Sequence, residues 1–297
     1  MIYLTKEDWN NLILSKLSEQ ASFNEQFLEL VKIHKTFHFF TTKMYQPNEE
    51  NKSLINMVFI GGMTLFHKYR ICSDFSLKKY SSEELYVLIG ACIFIAQKSL
   101  NILIARLAFI TKFIEQLILN KEPTKKVINK ELKEKIKNKE MEILTTLGFN
   151  IDIDLPFSFL NKAKKQISNS NSLLNIDNVF KLLNIFMSDS LILPLSLYYT
   201  PNIITISCIL ALKQKYNLKN INIKELISVS EYDLDEKEIQ DCVALIKKIE
   251  VANTEFYKNQ KNKSKIASNA NTVETKSMNS DKASVTKVIP SINVNIN

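Results

Sequence analysis

Apolar residues recur along this chain at the three- and four-residue spacing of a helix face. Trp9, Leu12, Ile13 and Leu17 outline a first helix, and Phe27, Leu28, Val31, Phe37 and Phe40 a second. A third is expected over 53–71, carrying Met57, Ile60, Leu65, Phe66 and Tyr69, with Gly61 and Gly62 where a neighbouring helix can approach closely. Ser82 is placed to cap the next helix, and Glu83 and Glu84 in its first turn suit the positive end of the helix dipole. That helix, 83–98, is apolar on every face, so it should be surrounded by others at the centre of a bundle. A helix over 102–119, a charged stretch over 120–139 and a helix over 140–147 follow. Ile143, Leu144 and Leu147 share one side of the last, and Gly148 ends it as a C-cap.

Asp152, Asp154 and Pro156 then break the pattern and start a fresh helix, because Asp caps and Pro fits a first turn. The second half repeats the scheme. It predicts a helix after Pro156, one over 179–191, an apolar helix capped by Thr200 with Pro201 in its first turn, and two more over 223–229 and 235–251. Ala91-Cys92-Ile93-Phe94 can be laid over Ser207-Cys208-Ile209-Leu210 at an offset of 116 residues (208 − 92), which suggests an internal duplication. Past position 257 the chain is rich in Lys, Asn, Ser and Thr and has too little apolar surface to offset the entropy of ordering, so a disordered tail is expected. The parts are an N-terminal helix (1–22), a first bundle (23–152), a second bundle (153–256) and the tail (257–297).

Composition sharpens this to an all-α fold. With four Gly and six Pro in 297 residues, the chain lacks the turn residues of β proteins and the glycine-rich loops that cradle phosphates, so it does not read as a kinase itself. The net charge of +8 admits an acidic partner without requiring one. Cys72, Cys92, Cys208 and Cys242 are far apart, without zinc-ligand spacing, and read as reduced, largely buried thiols. The start of the chain, with Lys6, Glu7 and Asp8, does not read as a secretory signal, and the apolar run over 85–96 is too short to span a membrane. His34 and His38 share a helix face at zinc-site spacing, but Lys35 stands where a zinc protease needs Glu and only His67 remains as a third nitrogen. They are taken as packing or surface histidines, and no metal or cofactor is expected. The carboxylate pairs Glu49-Glu50, Glu83-Glu84 and Asp152-Asp154 lie in loops or at helix starts, where capping accounts for them. There is no GxSxG and no Cys with a basic helper, so no catalytic residue is assigned. Lys98 and Glu140 read from composition as helix-end charges, Lys98 closing the central helix and Glu140 opening the one that runs into Gly148.

Several spaced segments resemble the cyclin family, most closely its transcription-type members (the K, L, T and C kinds). They are Phe66-His67-Lys68-Tyr69, Ala91-Cys92-Ile93-Phe94-Ile95-Ala96-Gln97-Lys98, and Glu140-Met141-Glu142-Ile143-Leu144-Thr145-Thr146-Leu147-Gly148-Phe149. Asp154-Leu155-Pro156-Phe157 is similar to the family's entry into its second box. Phe186-Met187-Ser188-Asp189-Ser190-Leu191, followed by Leu195-Ser196-Leu197, Tyr198 and Pro201, resembles a motif inside that box. The resemblance implies two tandem cyclin-box five-helix bundles and a non-enzymatic regulatory subunit. Such a subunit docks on the regulatory helix of a cyclin-dependent kinase and pushes it inward, so that the kinase's Lys–Glu pair and activation segment assemble. By motif position Lys98 and Glu140 correspond to the family's kinase-binding Lys and Glu. A nuclear role in transcription or RNA processing, around the RNA polymerase II machinery, is implied by the same subclass. Ser99-Leu100-Asn101 stands where the family commonly has acidic residues, Lys68 replaces a usual Arg, and the segment over 111–139 is long and Lys-rich, which points to an unusual or co-diverged kinase. Two other readings of the fold stand beside this one: a TFIIB-like factor binding DNA, which would normally carry a zinc ribbon not found here, and an adaptor that recruits without activating.

Overall fold

In a computed structural model the described residues are 20–45, 51–73, 80–102, 104–120, 129–155, 159–160, 176–218, 223–228 and 234–274. All regular structure among them is helical: α1 (Gln20–Tyr45), α2 (Lys52–Ser73), α3 (Ser82–Ser99), α4 (Leu107–Leu119), α5 (Lys130–Thr146), α6 (Ile176–Ser190), a 3-10 turn (Leu195–Leu197), α7 (Pro201–Tyr216), α8 (Ile223–Ser228) and α9 (Glu236–Glu274). The expected helix over 9–17, most of the one after Pro156 and the carboxylates Glu49 and Glu50 lie outside the described residues. Met1–Asn253 is one compact unit and Thr254–Asn297 a second, in which α9 continues to Glu274.

α3 is the centre of the first bundle, packed against α2, α4 and α5, while α1 packs on α2. From Val87 to Gln97 every residue of α3 is buried except Phe94, so the helix is enclosed on all sides but one. α2 is enclosed to the same degree from Val58 to Arg70, polar Thr64, His67, Lys68 and Arg70 included. Close crossing of α3 and α4 depends on Gly90, where a Cβ would stand 2.7 Å from Ile114 Cδ1 and 3.2 Å from Ile110 Cγ2.

The caps explain where the helices begin and end. The N-cap of α3 is Ser81, one residue before the expected Ser82. Its hydroxyl accepts from the Glu84 N–H while the Glu84 carboxylate accepts from the Ser81 N–H, a capping box. Ser81→Ala should lower stability by about 1 kcal/mol, read as a smaller urea midpoint at unchanged slope. α4 begins at Leu107 rather than 102, because the backbone N–H groups of Ile104 and Ala105 are tied to the end of α3. α5 begins at Lys130, ten residues before the expected start, and Asn129 caps it by accepting from the Leu132 N–H. From Lys130 on, the residues that read as a charged linker are helical because Leu132 and Ile136 extend the buried line of Ile143 and Leu147, and Lys135–Glu131 and Lys137–Glu134 pair along the turns.

Three C-terminal caps share one geometry. After α3 the Ile102 N–H bonds to the Gln97 carbonyl (2.8 Å), with Asn101 left-handed at φ 54°. After α5 the Phe149 N–H bonds to the Leu144 carbonyl (2.7 Å), with Gly148 at φ +55°. After α7 the Leu218 N–H bonds to the Lys213 carbonyl (3.0 Å), with Asn217 at φ 50°. These are Schellman closures, with Gly or Asn at the residue that must turn left-handed. Asn101 and Asn217 are 116 residues apart (217 − 101), the offset of the expected repeat. α7 is likewise apolar and buried from Ile203 to Leu212, and Thr200 caps it by accepting from the Ile203 N–H.

Candidate functional site

α3 and α5 run side by side, and the structure brings Lys98 and Glu140 together across them: Lys98 Nζ lies 2.5 Å from Glu140 Oε1. The two residues do not have the same setting. Lys98 ends α3 with its side chain 48% exposed, whereas Glu140 is 12% exposed and lies in the third turn of α5, not at its start. Glu140 falls at an expected helix start only because the preceding ten residues look like a linker. The Lys98 ammonium also stands 4.1 Å from the centroid of the Phe94 ring, the half-exposed position of α3.

Two tethers hold the chain around this pair. Gln97, fully buried, accepts through Oε1 from the backbone N–H groups of Ile104 (3.0 Å) and Ala105 (2.7 Å), fastening the α3–α4 loop to the turn that carries Lys98. Ser99 donates to the Ile151 carbonyl at 2.8 Å, fastening the segment after α5 to the same end of α3. Large apolar side chains stand in solvent nearby: Met141 next to Glu140 is 55% exposed, and Phe149, in the cap between α5 and Ile151, is 62% exposed with φ 59°. Ile104, on the loop that Gln97 holds, is also exposed. An ion pair reaching the surface, on elements that also expose such residues, has the makeup of a protein-docking surface, apolar with a few charge-assisted contacts.

The other candidate residues have structural roles. His34 Nε2 donates to the Ser188 carbonyl at 2.9 Å and His67 Nε2 donates to the Leu191 carbonyl at 2.8 Å. Both are buried, and burial lowers the His34 pKa to about 4 and that of His67 to about 3, so both rings are neutral and each Nε2 carries its hydrogen. His38 faces the Phe59 ring edge-on, and burial lowers its pKa as well. Among the described residues no three His, Cys, Asp or Glu side chains are placed to hold a metal ion. Lys68 is buried and donates to the Asp152 backbone carbonyl at 2.6 Å; burial lowers its pKa, against the opposing charges of Asp152 and Asp154. Tyr69 donates to the Glu142 carboxylate, which also pairs with Lys139. Glu84 caps α3 and Glu83 pairs with Lys135 at 2.8 Å. Cys72 is exposed, unlike Cys92, Cys208 and Cys242, and all four are free thiols. No helix among the described residues is long and apolar enough to cross a membrane.

Lys98 and Glu140 stand out in the sequence as candidates by their motif positions; Gln97, Ser99 and Phe94 as parts of their setting do not. Gln97 is visible there only as a polar residue closing an apolar run, and Phe94 is hidden in that run.

No protein-family model matches the chain, and no curated protein matches it by sequence. Solved structures do match. A chain of the yeast TFIIK (Kin28/Ccl1/Tfb3) complex superposes with a TM-score of 0.51 at 15% identity, over 83% of this chain and 96% of that one. The viral cyclin from herpesvirus saimiri gives 0.49 at 15% identity, over 81% and 95%. A chain of the CAK complex of Chaetomium thermophilum bound to ATP-gamma-S gives 0.45 at 12% identity, over 85% and 79%. The all-helical fold is one this chain shares with the superposed chain of the TFIIK complex.

Proposed function

We propose that this cyclin-fold chain is the regulatory subunit of a protein kinase, bound through the surface centred on Lys98 and Glu140. The observation that carries the reading is that pair, 42 residues apart in sequence and 2.5 Å apart in space, with exposed apolar side chains on the same helix and on the segments tethered to it. They occupy the positions at which the cyclin resemblance places kinase-binding residues. The yeast chain that superposes on this one belongs to a multiprotein complex, Kin28/Ccl1/Tfb3, which fits a protein that works in assembly with others. In this role Lys98 uses one of its three N–H donors on Glu140 and offers the rest to partner carbonyls, while the remaining carboxylate lone pairs accept from partner N–H groups. Met141, Phe149 and Ile104 supply apolar burial. The partner is a cyclin-dependent kinase whose regulatory helix is pressed into its active position, and the chain itself performs no chemistry. A nuclear kinase of transcription or RNA processing, working on or beside the RNA polymerase II machinery, fits the second-half resemblance over 186–201.

The test is affinity purification of the full chain at about physiological salt, beside a Lys98→Ala plus Glu140→Ala variant. One protein kinase should co-purify, be lost or sharply reduced with the variant, and be inactive without this subunit. Recovery of DNA or polymerase with no kinase would overturn the reading in favour of a TFIIB-like factor, and a bound kinase whose activity ignores the chain would make it an adaptor.

A further inference from the structure

The mid-section of α3 is buried on every side except at Phe94, and Phe94 is one turn before Lys98 on the same face of the helix. Phe94 is partly exposed where its neighbours Ile93 and Ile95 are fully buried, so one side of its ring is open to a surface group. Its ring centroid lies 4.1 Å from the Lys98 ammonium, which also meets Glu140 Oε1 at 2.5 Å. A lysine at a helix end has a flexible four-carbon stem and would ordinarily sample many rotamers in water. Here it is held between a π face and a carboxylate.

We propose that Phe94 is a positioning residue: its ring presets the Lys98 ammonium against Glu140, so that the pair meets its partner already ordered. This rests, for its consequence in binding, on the kinase-docking reading above. Ordering a lysine before association removes part of the entropy that docking would otherwise cost, and the ring attracts the cation through its π face. The arrangement leaves the other N–H donors of Lys98 for the partner. An aliphatic residue at 94 would keep the apolar surface and lose the hold on the ammonium.

Two measurements on the full chain test this. In the free chain labelled with 13C-lysine, with Lys98 assigned by its disappearance in Lys98→Arg, the ε-methylene protons of Lys98 should be shifted upfield of the other lysines by the Phe94 ring current. Phe94→Leu should return them to the ordinary position and Phe94→Tyr should keep them shifted. A Lys98 signal that matches the exposed lysines in the parent chain, or ignores Phe94→Leu, overturns the proposal, and that outcome depends on no kinase. In the kinase-binding assay, Phe94→Leu should weaken affinity about two- to fivefold, with Phe94→Tyr restoring it, and should add nothing in a Lys98→Met background. Equal weakening in both backgrounds would make Phe94 a plain apolar contact and overturn the positioning role. If the parent chain binds no kinase, the functional reading falls while the lysine spectrum still decides the positioning.

Discussion

Lowering the pH from 7 to 5 should remove about 4 kcal/mol of folding stability through His34 and His67 alone. Both rings have folded pKa values depressed by burial, to about 4 and about 3, against 6.5 for an exposed histidine. Between pH 6.5 and 4 the unfolded chain therefore takes up two protons that the folded chain refuses, and stability rises with pH across that window. It is complete above pH 6.5 and is lost progressively as pH falls towards the folded values. At pH 5 each histidine is about 1.5 pH units below its unfolded pKa, worth about 2 kcal/mol. Burial lowers the pKa of His38 too and adds loss of the same sign.

Other charged groups around these rings set the net effect. Lys35 and His38 face His34, and Arg70 and His34 face His67, all of which oppose a further positive charge. Asp189, next to Ser188 in α6, works the other way: burial raises its pKa to about 6, so the folded state binds a proton between pH 6 and 3.8 that the unfolded state does not. That returns about 1 kcal/mol at pH 5, and the histidines win. Urea unfolding at pH 7 and pH 5 measures the balance. His34→Gln and His67→Gln, whose amide can donate to the same carbonyls, should each remove about 2 kcal/mol of the pH dependence. A double variant that keeps the parent's full dependence would show that the loss comes from elsewhere.

These histidines mark the limit of what the sequence discloses. His34 and His67 bond to carbonyls 154 and 124 residues away, at the end of α6 and just beyond it, tying the first half of the chain to the second. No local spacing announces such a bond, and the i, i+4 relation of His34 to His38 identifies them only as packing or surface histidines. What depends on local periodicity was legible. The central apolar helices, the Thr200-Pro201 start and the left-handed Gly148 follow from side-chain spacing, caps and backbone sterics. Helix starts inside charged sequence were not, since the first turns of α5 are fixed by burial of Leu132 and Ile136 against other helices, a tertiary effect. Lys98 and Glu140 were singled out by resemblance, but their ion pair required the packing of α3 on α5.

Gln97→Met should lower stability by about 2–3 kcal/mol and open the loop behind the candidate docking surface. Met fills nearly the same volume, so the cost is not a cavity; it is the lost acceptor. In the parent chain Oε1 satisfies the N–H of Ala105, a buried residue, and shares that of Ile104, which also reaches the Ile102 carbonyl at 3.1 Å. Without it the Ala105 N–H must find water in an apolar site or the loop must swing out. Amide exchange separates local from global effects: Ala105 should lose its protection first and Ile104 should follow in part, while amides in the middle of α2 exchange faster only as far as the global stability has fallen. Because α3 ends at Ser99, releasing Ile104 and Ala105 also loosens the turn that carries Lys98, so partner binding should weaken more than it does for Ser81→Ala at the far end of the same helix. Unchanged protection of Ala105 in Gln97→Met would show that the amide N–H has another acceptor, and that the buried glutamine is a packing residue with no part in shaping the surface beside it.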